Sequence, residues 1–245
     1  EYKNIIKADN EEGSEALYAL PYAANGGGVI YNVDKFKEKN LNIPATWDEL
    51  LNLMENLKKE GETPLLFPFK DIWTAEHPYT YIEGRLQPEN FEKDKKAGKI
   101  TYVGTHEDIS DRFLTLLDYA QEDYMGMSYN DANKSFANGD AYMMINGNWV
   151  IPEIKKANPD CNVSMFAMPA TNDVNDNLIS TGIDVMFAVS KECSNVEGAK
   201  SFIEYMMQAE QAQKYMDDQF ALSAVNTATQ KDPAVAALQQ YIEGN

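Results

Sequence analysis

The sequence is poor in the residues that build metal sites and disulfide frameworks. Its 245 residues include only two cysteines, Cys161 and Cys193, and only two histidines, His77 and His106. The cysteines lie far apart and have no histidine nearby, so the spacing of a zinc site is missing. We therefore expect no metal ion and no other cofactor. Two buried free thiols are the simpler interpretation, although a disulfide between the cysteines stays open and the compartment is undecided.

Long apolar runs and an excess of positive charge are also missing. No run of about 18 apolar residues is present, so no transmembrane helix is predicted. The chain has 39 acidic and 21 basic residues and a formal net charge of −18. Such a chain repels phosphate backbones and anionic membranes, which disfavours a nucleic-acid partner. It begins at Glu1 without a methionine or signal segment, which we interpret as an excised fragment.

The sequence lacks the common motifs of nucleophilic and nucleotide chemistry. It has no GxSxG, and its glycine run at 26–28 fits neither GxGxxG nor GxxxxGK. Two carboxylates of a glycoside hydrolase could still meet in space, because sequence does not restrict which acids become neighbours. A solvent-exposed position is the simpler interpretation of each acid. The candidates near aromatic residues are Asp71, Glu76, Glu83, Glu153 and Asp184.

What the sequence does contain is an alternation of strand-like and helix-like segments. Apolar, β-branched and aromatic runs predict strands. Three glycines at 26–28 separate the first two strands, so a hinge or sharp bend is expected there. The strands are predicted at residues 16–24, 29–33, 64–69, 141–145, 163–168 and 185–189. Helix-length segments between the strands predict an α/β fold.

Capping residues mark the starts of several predicted helices. Thr46 and Glu49 form a capping box before an amphipathic helix, and Ser194 and Glu197 form a second box. Asp232 followed by proline starts the last helix. Other helices are predicted from near residue 110 and at 128–138, 149–156 and 209–217.

Two of the three tryptophans occupy equivalent positions in this alternation. Trp73 and Trp149 each follow a strand and a short turn and precede a helix, where α/β folds place ligands. Flat aromatic faces suit the apolar face of a pyranose ring, and nearby carboxylates and amides bind its hydroxyls. Trp47, in the first turn of a capped helix, is predicted to pack in the core. The pattern favours a carbohydrate-binding surface at Trp73 and Trp149.

Four blocks of the sequence share the pattern of one protein family. They are LPYAANGGGVIYN at 20–32, PATWDEL at 44–50, FANGDAYMMINGNW at 136–149, and the strand at 185–191 that leads to the helix of Glu197. The blocks come in the expected order and cover nearly the whole chain. Together they resemble the family 1 extracellular solute-binding proteins, the maltose-binding-protein-like sugar-binding components of ABC importers.

The resemblance implies a truncated, type II periplasmic-binding-protein-like α/β fold. In this fold two lobes, joined by hinge strands, close over a ligand. Residues 1–25 and 185–222 would be remnants of the N-terminal lobe, and residues 26–184 and 223–245 would belong to the C-terminal lobe. The resemblance also implies a non-catalytic carrier that delivers a sugar or oligosaccharide to membrane-embedded ABC permease subunits. It would be extracellular, with a lipid anchor on the cell membrane, or periplasmic.

The resemblance implies ligand-binding roles for five residues. Trp73 and Trp149 align with stacking aromatic residues, and Asp71 aligns with a nearby glutamate. Asn25 aligns with an acidic residue on the hinge side. Asp184 lies on the second hinge crossing, where relatives place a polar contact. A solvent-facing role for Asp71 and a hinge-stabilising role for Asn25 stay open.

Two departures from the family pattern leave the ligand open. Asn25 is an amide where the family has an acid, and Ile151 aligns with a second tryptophan, whose contact is therefore lost. A polyamine or another small solute is an alternative ligand, since an acidic cleft and aromatic faces both suit cations. A carbohydrate-active enzyme is a further alternative.

Overall fold

The described part of the chain alternates strands with helices, as the sequence predicts. The computed structural model describes residues 7–9 and 15–242. The strands are β1 (Lys7–Asp9), β2 (Glu15–Leu17), β3 (Leu20–Asn32), β4 (Met143–Gly147), β5 (Val163–Phe166), β6 (Ser180–Phe187) and β7 (Leu222–Ser223). The first helices are α1 (Val33–Glu38), α2 (Trp47–Lys59), α3 (Glu76–Leu86), α4 (Phe91–Lys96) and α5 (Glu107–Leu117). They are followed by α6 (Tyr129–Ala137), α7 (Val150–Ala157), α8 (Val196–Met206), α9 (Ala209–Gln219) and α10 (Pro233–Ile242).

One long strand, β3, organises the main sheet. Its C-terminal half lies between β4 and β5, and its N-terminal half pairs with β6 and β7. All of these pairs are antiparallel, so β4 and β5 run in the same direction on the two sides of β3. The strands β1 and β2 form a separate antiparallel pair. The whole sheet therefore depends on the single strand β3.

Helices cover both faces of the sheet around β4 and β5. Neighbouring residues of a strand point to opposite faces, and the burial follows this rule. Ile30 and Met144 belong to an apolar cluster that includes residues of α6, α7 and α10. Val29 and Ile145 belong to a second cluster that includes residues of α2, α3 and α5. This helix–sheet–helix layering confirms the predicted α/β class.

The chain does not bend sharply at its three consecutive glycines. Strand β3 runs through Gly26, Gly27 and Gly28 without interruption, and none of the three has a positive φ. Instead, a side chain on Gly27 would overlap the ring of Tyr81, and one on Gly28 would overlap the carbonyl oxygen of Phe166. The predicted bend was wrong. Glycine is needed at these positions because a side chain would not fit, and not because the backbone is bent. A hinge at this place stays a prediction.

Three predicted helix starts are confirmed by their capping bonds. The hydroxyl of Thr46 accepts a hydrogen bond from the N–H of Glu49 at 3.3 Å, and the Glu49 carboxylate accepts one from the N–H of Ala45 at 2.8 Å. Ser128 caps α6. Asp232 accepts a bond of 2.8 Å from the N–H of the second residue of α10. Each cap satisfies a backbone donor that the first helical turn leaves unpaired.

Two helices begin at other residues than predicted. Helix α8 is capped by Asn195, whose Oδ1 accepts a 2.9 Å bond from the N–H of Gly198, and not by Ser194. Helix α5 begins at Glu107, three residues before Ser110. For α8 the sequence offers two neighbouring polar residues, and backbone geometry chooses between them. The N-cap residue of α5 is His106, whose side chain makes no capping bond.

Three predicted strands differ from the structure. The strand predicted at residues 185–189 overlaps only the end of β6, which begins at Ser180. The segment 64–69 is buried, but within it only Leu65 forms β-bridges, with Met143 and Ala120. Prolines at 64 and 68 have no N–H to donate, which explains why the pairing stays irregular. The apolar run at 16–24 is divided between the end of β2 and the start of β3.

The remaining sequence predictions on packing are largely confirmed. Trp47 is buried in the cluster beside α2 and α5. Cys161 is buried as expected, Cys193 is only half-buried, and both thiols are free. Within residues 7–9 and 15–242, no helix is long and apolar enough to cross a membrane.

Candidate ligand-binding site

Trp73 and Trp149 lie in one cluster of aromatic rings. Between them is His77, whose ring centroid is 5.5 Å from that of Trp73 and 5.0 Å from that of Trp149. Tyr129 packs against Trp73 at 5.0 Å, and Tyr81 stacks on His77 at 5.9 Å. We call these five residues the aromatic cluster. The structure thus brings together the two tryptophans that the sequence singled out.

Three secondary-structure elements position the aromatic cluster. A 3₁₀ turn at Ile72–Ala75 carries Trp73 and continues into α3, which carries His77 and Tyr81. These three residues recur every fourth position, so they share one side of the helical segment. Tyr129 is the first residue of α6, and Trp149 is the N-cap of α7. The cluster therefore forms where three helical segments begin.

The aromatic cluster extends from solvent to the edge of the sheet. Trp73 is 40% exposed, His77 and Trp149 are half-buried, and Tyr81 is buried. The Tyr81 hydroxyl donates a 3.2 Å hydrogen bond to the carbonyl oxygen of Asn146 in β4. The inner end of the cluster is therefore fixed to the sheet, while Trp73 offers an exposed indole.

His77 is an unpartnered polar group inside this cluster. Its Nε2 is buried and has no hydrogen-bond partner in the described part of the chain. Burial lowers the pKa of His77, and the neighbouring Glu76 carboxylate opposes this only in part. The imidazole is therefore neutral at pH 7, with one nitrogen that can donate and one that can accept a hydrogen bond.

The turn before α7 holds Trp149 in place. The indole lies against Gly147, where any side chain would overlap the ring. The buried Asn148 side chain accepts a 2.7 Å bond from the N–H of Gly26 and donates a 2.8 Å bond to the carbonyl oxygen of Phe220. The sequence Asn-Gly-Asn-Trp thus supplies the space and the anchor for this ring.

Asp71 connects two parts of the site. Its Oδ2 accepts a 2.6 Å hydrogen bond from the backbone N–H of Tyr129. The bond joins the turn that carries Trp73 to the first residue of α6. Asp71 therefore lies at the aromatic cluster, and one of its oxygens stabilises the fold there.

Asn25 and Asp184 lie on the β3–β6 pair. Asn25 is paired with Gly182 and directly precedes Gly26, whose N–H binds the Asn148 side chain beside Trp149. Asp184 is exposed on β6. No ring contact or hydrogen bond among residues 18–238 joins either side chain to the aromatic cluster.

The carboxyl group of Asp184 interacts electrostatically with a residue of α9. Neighbouring side chains partly desolvate this carboxyl group, which raises its pKa. The pKa of Tyr215 on α9 is also raised, mainly because its phenol is buried and in part because of the negative charge of Asp184. Asp184 is therefore within electrostatic reach of Tyr215, which belongs to a different helix from those that carry the cluster.

Among the other acids that the sequence offered, Glu83 has a structural partner. Its carboxylate is 3.1 Å from Nε2 of His106, which is buried, and Nδ1 of His106 is 2.8 Å from the hydroxyl of Thr105. This pair joins α3 to the start of α5. Glu83 and His106 therefore serve the packing of these helices.

The sequence interpretation missed three members of the aromatic cluster, His77, Tyr81 and Tyr129. The four-residue interval from Trp73 to His77 signals that both lie on one side of a helix. Tyr129 directly follows the capping residue Ser128, so it opens a helix just as Trp149 does. Both signals are local, but only the packed fold shows that these side chains lie in one cluster.

Comparisons with known proteins agree with this architecture. The family described as bacterial extracellular solute-binding protein matches residues 1–213. A protein of Streptococcus mutans serotype c named multiple sugar-binding protein is 31% identical over 227 residues, which are 88% of this chain and 54% of that protein. The chain spans about half the length of the curated relatives it matches.

Solved structures show the same fold. The solute-binding protein RafE in complex with raffinose has a TM-score of 0.75 and 24% identity, over 98% of this chain and 66% of that one. A sugar transporter protein from Bacillus licheniformis in complex with stachyose has a TM-score of 0.79 and 19% identity, over 99% of this chain and 63% of that one. The fold is thus that of the two-lobed solute-binding proteins, and with the sequence match the chain belongs to the bacterial extracellular solute-binding protein family.

Proposed function

We propose that this chain is part of the substrate-binding component of an ABC importer and binds a sugar or oligosaccharide. The observation that carries the proposal is the position of Trp73 and Trp149 on either side of His77 in one partly exposed cluster. The name of the Streptococcus mutans relative and the raffinose and stachyose held by two proteins of this fold support a carbohydrate ligand.

The chemistry of the aromatic cluster fits a pyranose ring. The indole faces provide flat apolar area for the C–H face of a sugar, and covering them with ligand removes that area from water. The neutral imidazole of His77 can exchange hydrogen bonds with a hydroxyl once a ligand parts the rings. Asp71 contributes the carboxylate oxygen that does not bind Tyr129.

Binding would proceed by closure of two lobes. We assign residues 1–25 and 185–222 to one lobe and residues 26–184 and 223–245 to the other; residues 1–6, 10–14 and 243–245 lie outside the described ranges. Tyr22, in the first half of β3, belongs to an apolar cluster with residues of α9, separate from the clusters around the second half. This division of the core supports a lobe boundary along β3.

The two hinge-side residues have a role in this closure. Asn25 and Asp184 lie on the paired strands β3 and β6 near the proposed boundary. Ligand contacts from both lobes stabilise the closed state by their differential affinity for it, and these two side chains would supply such contacts.

The closed carrier would then deliver its sugar to ABC permease subunits, without chemical change. The family is described as extracellular, which supports a site outside the membrane, held by a lipid anchor or free in a periplasm. A carrier of this kind is not an enzyme. Incubation with an oligosaccharide should therefore return it intact.

Calorimetry on the whole protein tests the proposal. Galactose, raffinose, stachyose and spermidine are the probes, and we expect binding of a sugar. Trp149→Ala and Trp73→Ala should each weaken that binding by about 1–3 kcal/mol, because a buried aromatic contact is lost. Tyr102→Ala is the matched control, since Tyr102 is an exposed aromatic residue outside the cluster. Unchanged affinity in both tryptophan variants, or binding of spermidine alone, would contradict the proposal.

A further inference from the structure

Helix α9 ends in a backbone conformation that is unusual for its residue. Phe220, which follows Gln219 at the end of α9, has φ 51° and ψ 29°, in the left-handed region. Among the described residues other than glycine, only Asn40 and Asn90 also have a positive φ. Asparagine adopts this region more readily than a bulky aromatic residue, and glycine is the usual residue at such a helix end. Strain of this kind persists only where surrounding contacts hold it, and it is frequent at ligand clamps and switches.

The ring of Phe220 leaves the core to which the rest of α9 belongs. Ala212 and Met216 precede Phe220 at four-residue intervals, and both are buried in the apolar cluster that includes Tyr22. Phe220 instead packs against the cluster that includes residues of α6, α7 and α10, and Trp149 packs against that same cluster. Phe220 therefore joins α9 to the part of the core on which Trp149 packs.

The carbonyl group of Phe220 is bound by the residue that directly precedes Trp149. The buried Asn148 amide donates its 2.8 Å hydrogen bond to this oxygen. The same side chain accepts a 2.7 Å bond from the N–H of Gly26, and the N–H of Asn148 donates a 3.0 Å bond to the carbonyl oxygen of Gly26. Three segments therefore meet at Asn148: the end of α9, the middle of β3 and the turn that carries Trp149.

This meeting point crosses the proposed lobe boundary. In the proposed division, Phe220 belongs to the lobe of residues 185–222, and Asn148 belongs to the lobe of residues 26–184. When α9 moves relative to α7, the bond between the two residues must either break or carry the Asn148 side chain along. Because Asn148 directly precedes Trp149 in the chain, such a movement reaches the turn that holds the indole.

We propose that Phe220 and Asn148 are positioning residues, which couple the closure of the lobes to the orientation of the Trp149 indole. This inference rests on the proposed function. The strained backbone of Phe220 and its bond to Asn148 hold the Trp149 turn in the orientation that stacks on a ligand. Neither residue needs to touch the ligand. Coupling of this kind is a free energy that the two places share, so a change at Phe220 alters the affinity at Trp149.

The position of the Trp149 indole can be measured without a ligand. Fluorine NMR of the whole protein, labelled with 5-fluorotryptophan, gives a resonance for each indole, and Trp149→Phe identifies the resonance of Trp149. Phe220→Gly keeps a residue that favours the left-handed region and removes the ring. It should shift or broaden the Trp149 resonance. An unchanged resonance overturns the proposal.

Calorimetry with galactose, raffinose and stachyose measures the effect on binding. Phe220→Gly should lower the affinity for the sugar that binds roughly tenfold, in the range typical of coupling between two sites. Phe220→Tyr keeps the ring and should stay within about twofold of the original protein. Asn40→Gly is the matched control, because it places glycine at another left-handed position, after α1. It should leave both the affinity and the Trp149 resonance unchanged.

A double variant shows whether Phe220 acts through Trp149. In a protein that already has Trp149→Ala, Phe220→Gly should change the affinity by less than about twofold, because the ring that it positions is gone. A purely structural role of Phe220 would lower the affinity by the same factor with and without Trp149. Equal factors in the two backgrounds therefore overturn the proposal.

Urea unfolding checks that each variant is folded. Phe220→Gly removes the backbone strain, because glycine adopts a positive φ freely. If it nevertheless does not fold, Phe220→Asn takes its place in every measurement, since asparagine also adopts the left-handed region.

The outcomes separate this inference from the proposed function. If the tryptophan variants lose sugar affinity but Phe220→Gly binds sugar as the original protein does, only the coupling is overturned. If none of the three sugars binds the original protein, both proposals are contradicted for this class of ligand, whatever the fluorine spectrum shows.

Discussion

The ring of Tyr81 fills the space that a side chain on Gly27 would need. Tyr81 belongs to α3 and Gly27 to the middle of β3, where β3 pairs with both β4 and β6. The hydroxyl of Tyr81 then donates to the carbonyl oxygen of Asn146 on β4. The helix that carries His77 is therefore held against the sheet at a position where only glycine fits.

Gly27→Ala should destabilise the protein by about 1–3 kcal/mol, because the added methyl group forces the buried Tyr81 ring out of its place. Gly84→Ala is the matched control: Gly84 lies in the same helix as Tyr81, and its β-carbon would meet no atom within 4 Å. That change should stabilise the helix by about 1 kcal/mol. Urea unfolding measures both, and equal stability of the two variants would contradict the packing argument.

Asn148 anchors the turn that carries Trp149, so we expect Asn148→Ala to be destabilising as well. The change leaves the N–H of Gly26 and the carbonyl oxygen of Phe220 buried without their partner, at a cost of about 1–3 kcal/mol. Asn162→Ala removes an exposed amide that binds Asp34 and should change stability by less than about 0.5 kcal/mol. Thermal unfolding of the two variants should separate them clearly.

The cap of α2 offers a test of local stability. Thr46→Ala removes the acceptor for the N–H of Glu49 and should lower the free energy of unfolding by about 1 kcal/mol. Thr46→Ser keeps a hydroxyl in the same position and should retain most of the stability. If the serine variant unfolds at the same urea concentration as the alanine variant, the hydroxyl of Thr46 contributes nothing as a cap.

The sequence predicts features that depend on neighbouring residues. The helix starts at Thr46, Ser128 and Asp232 are visible because a cap and its helix lie within four residues of each other. The joint position of Trp73 and Trp149 could be predicted for a related reason. In the sequence each follows a strand-like run and precedes a helix, and an α/β fold brings such junctions to one edge of the sheet.

Features that depend on contacts between distant segments could not be predicted. Glycine is needed at position 27 because the Tyr81 ring packs against it. The sequence does not show which ring packs on which strand. His77 joins the site because α3 packs beside the turn before α7, which again needs the tertiary structure.

His77 should make stability depend on pH in a defined direction. Burial lowers the pKa of the folded imidazole below the ordinary value of 6.5. As the pH falls through about 6.5, the unfolded chain takes up a proton that the folded imidazole does not, so stability declines toward the folded pKa. His77→Phe keeps a buried aromatic ring that does not titrate. Urea unfolding between pH 7.5 and 5.5 should therefore show a larger loss of stability in the original protein than in this variant.

His106 is common to both proteins, and the carboxylates whose pKa values are lowered, such as Glu62 and Glu107, titrate below this range. Parallel curves would show that the His77 imidazole is charged as easily in the folded protein as in the unfolded chain.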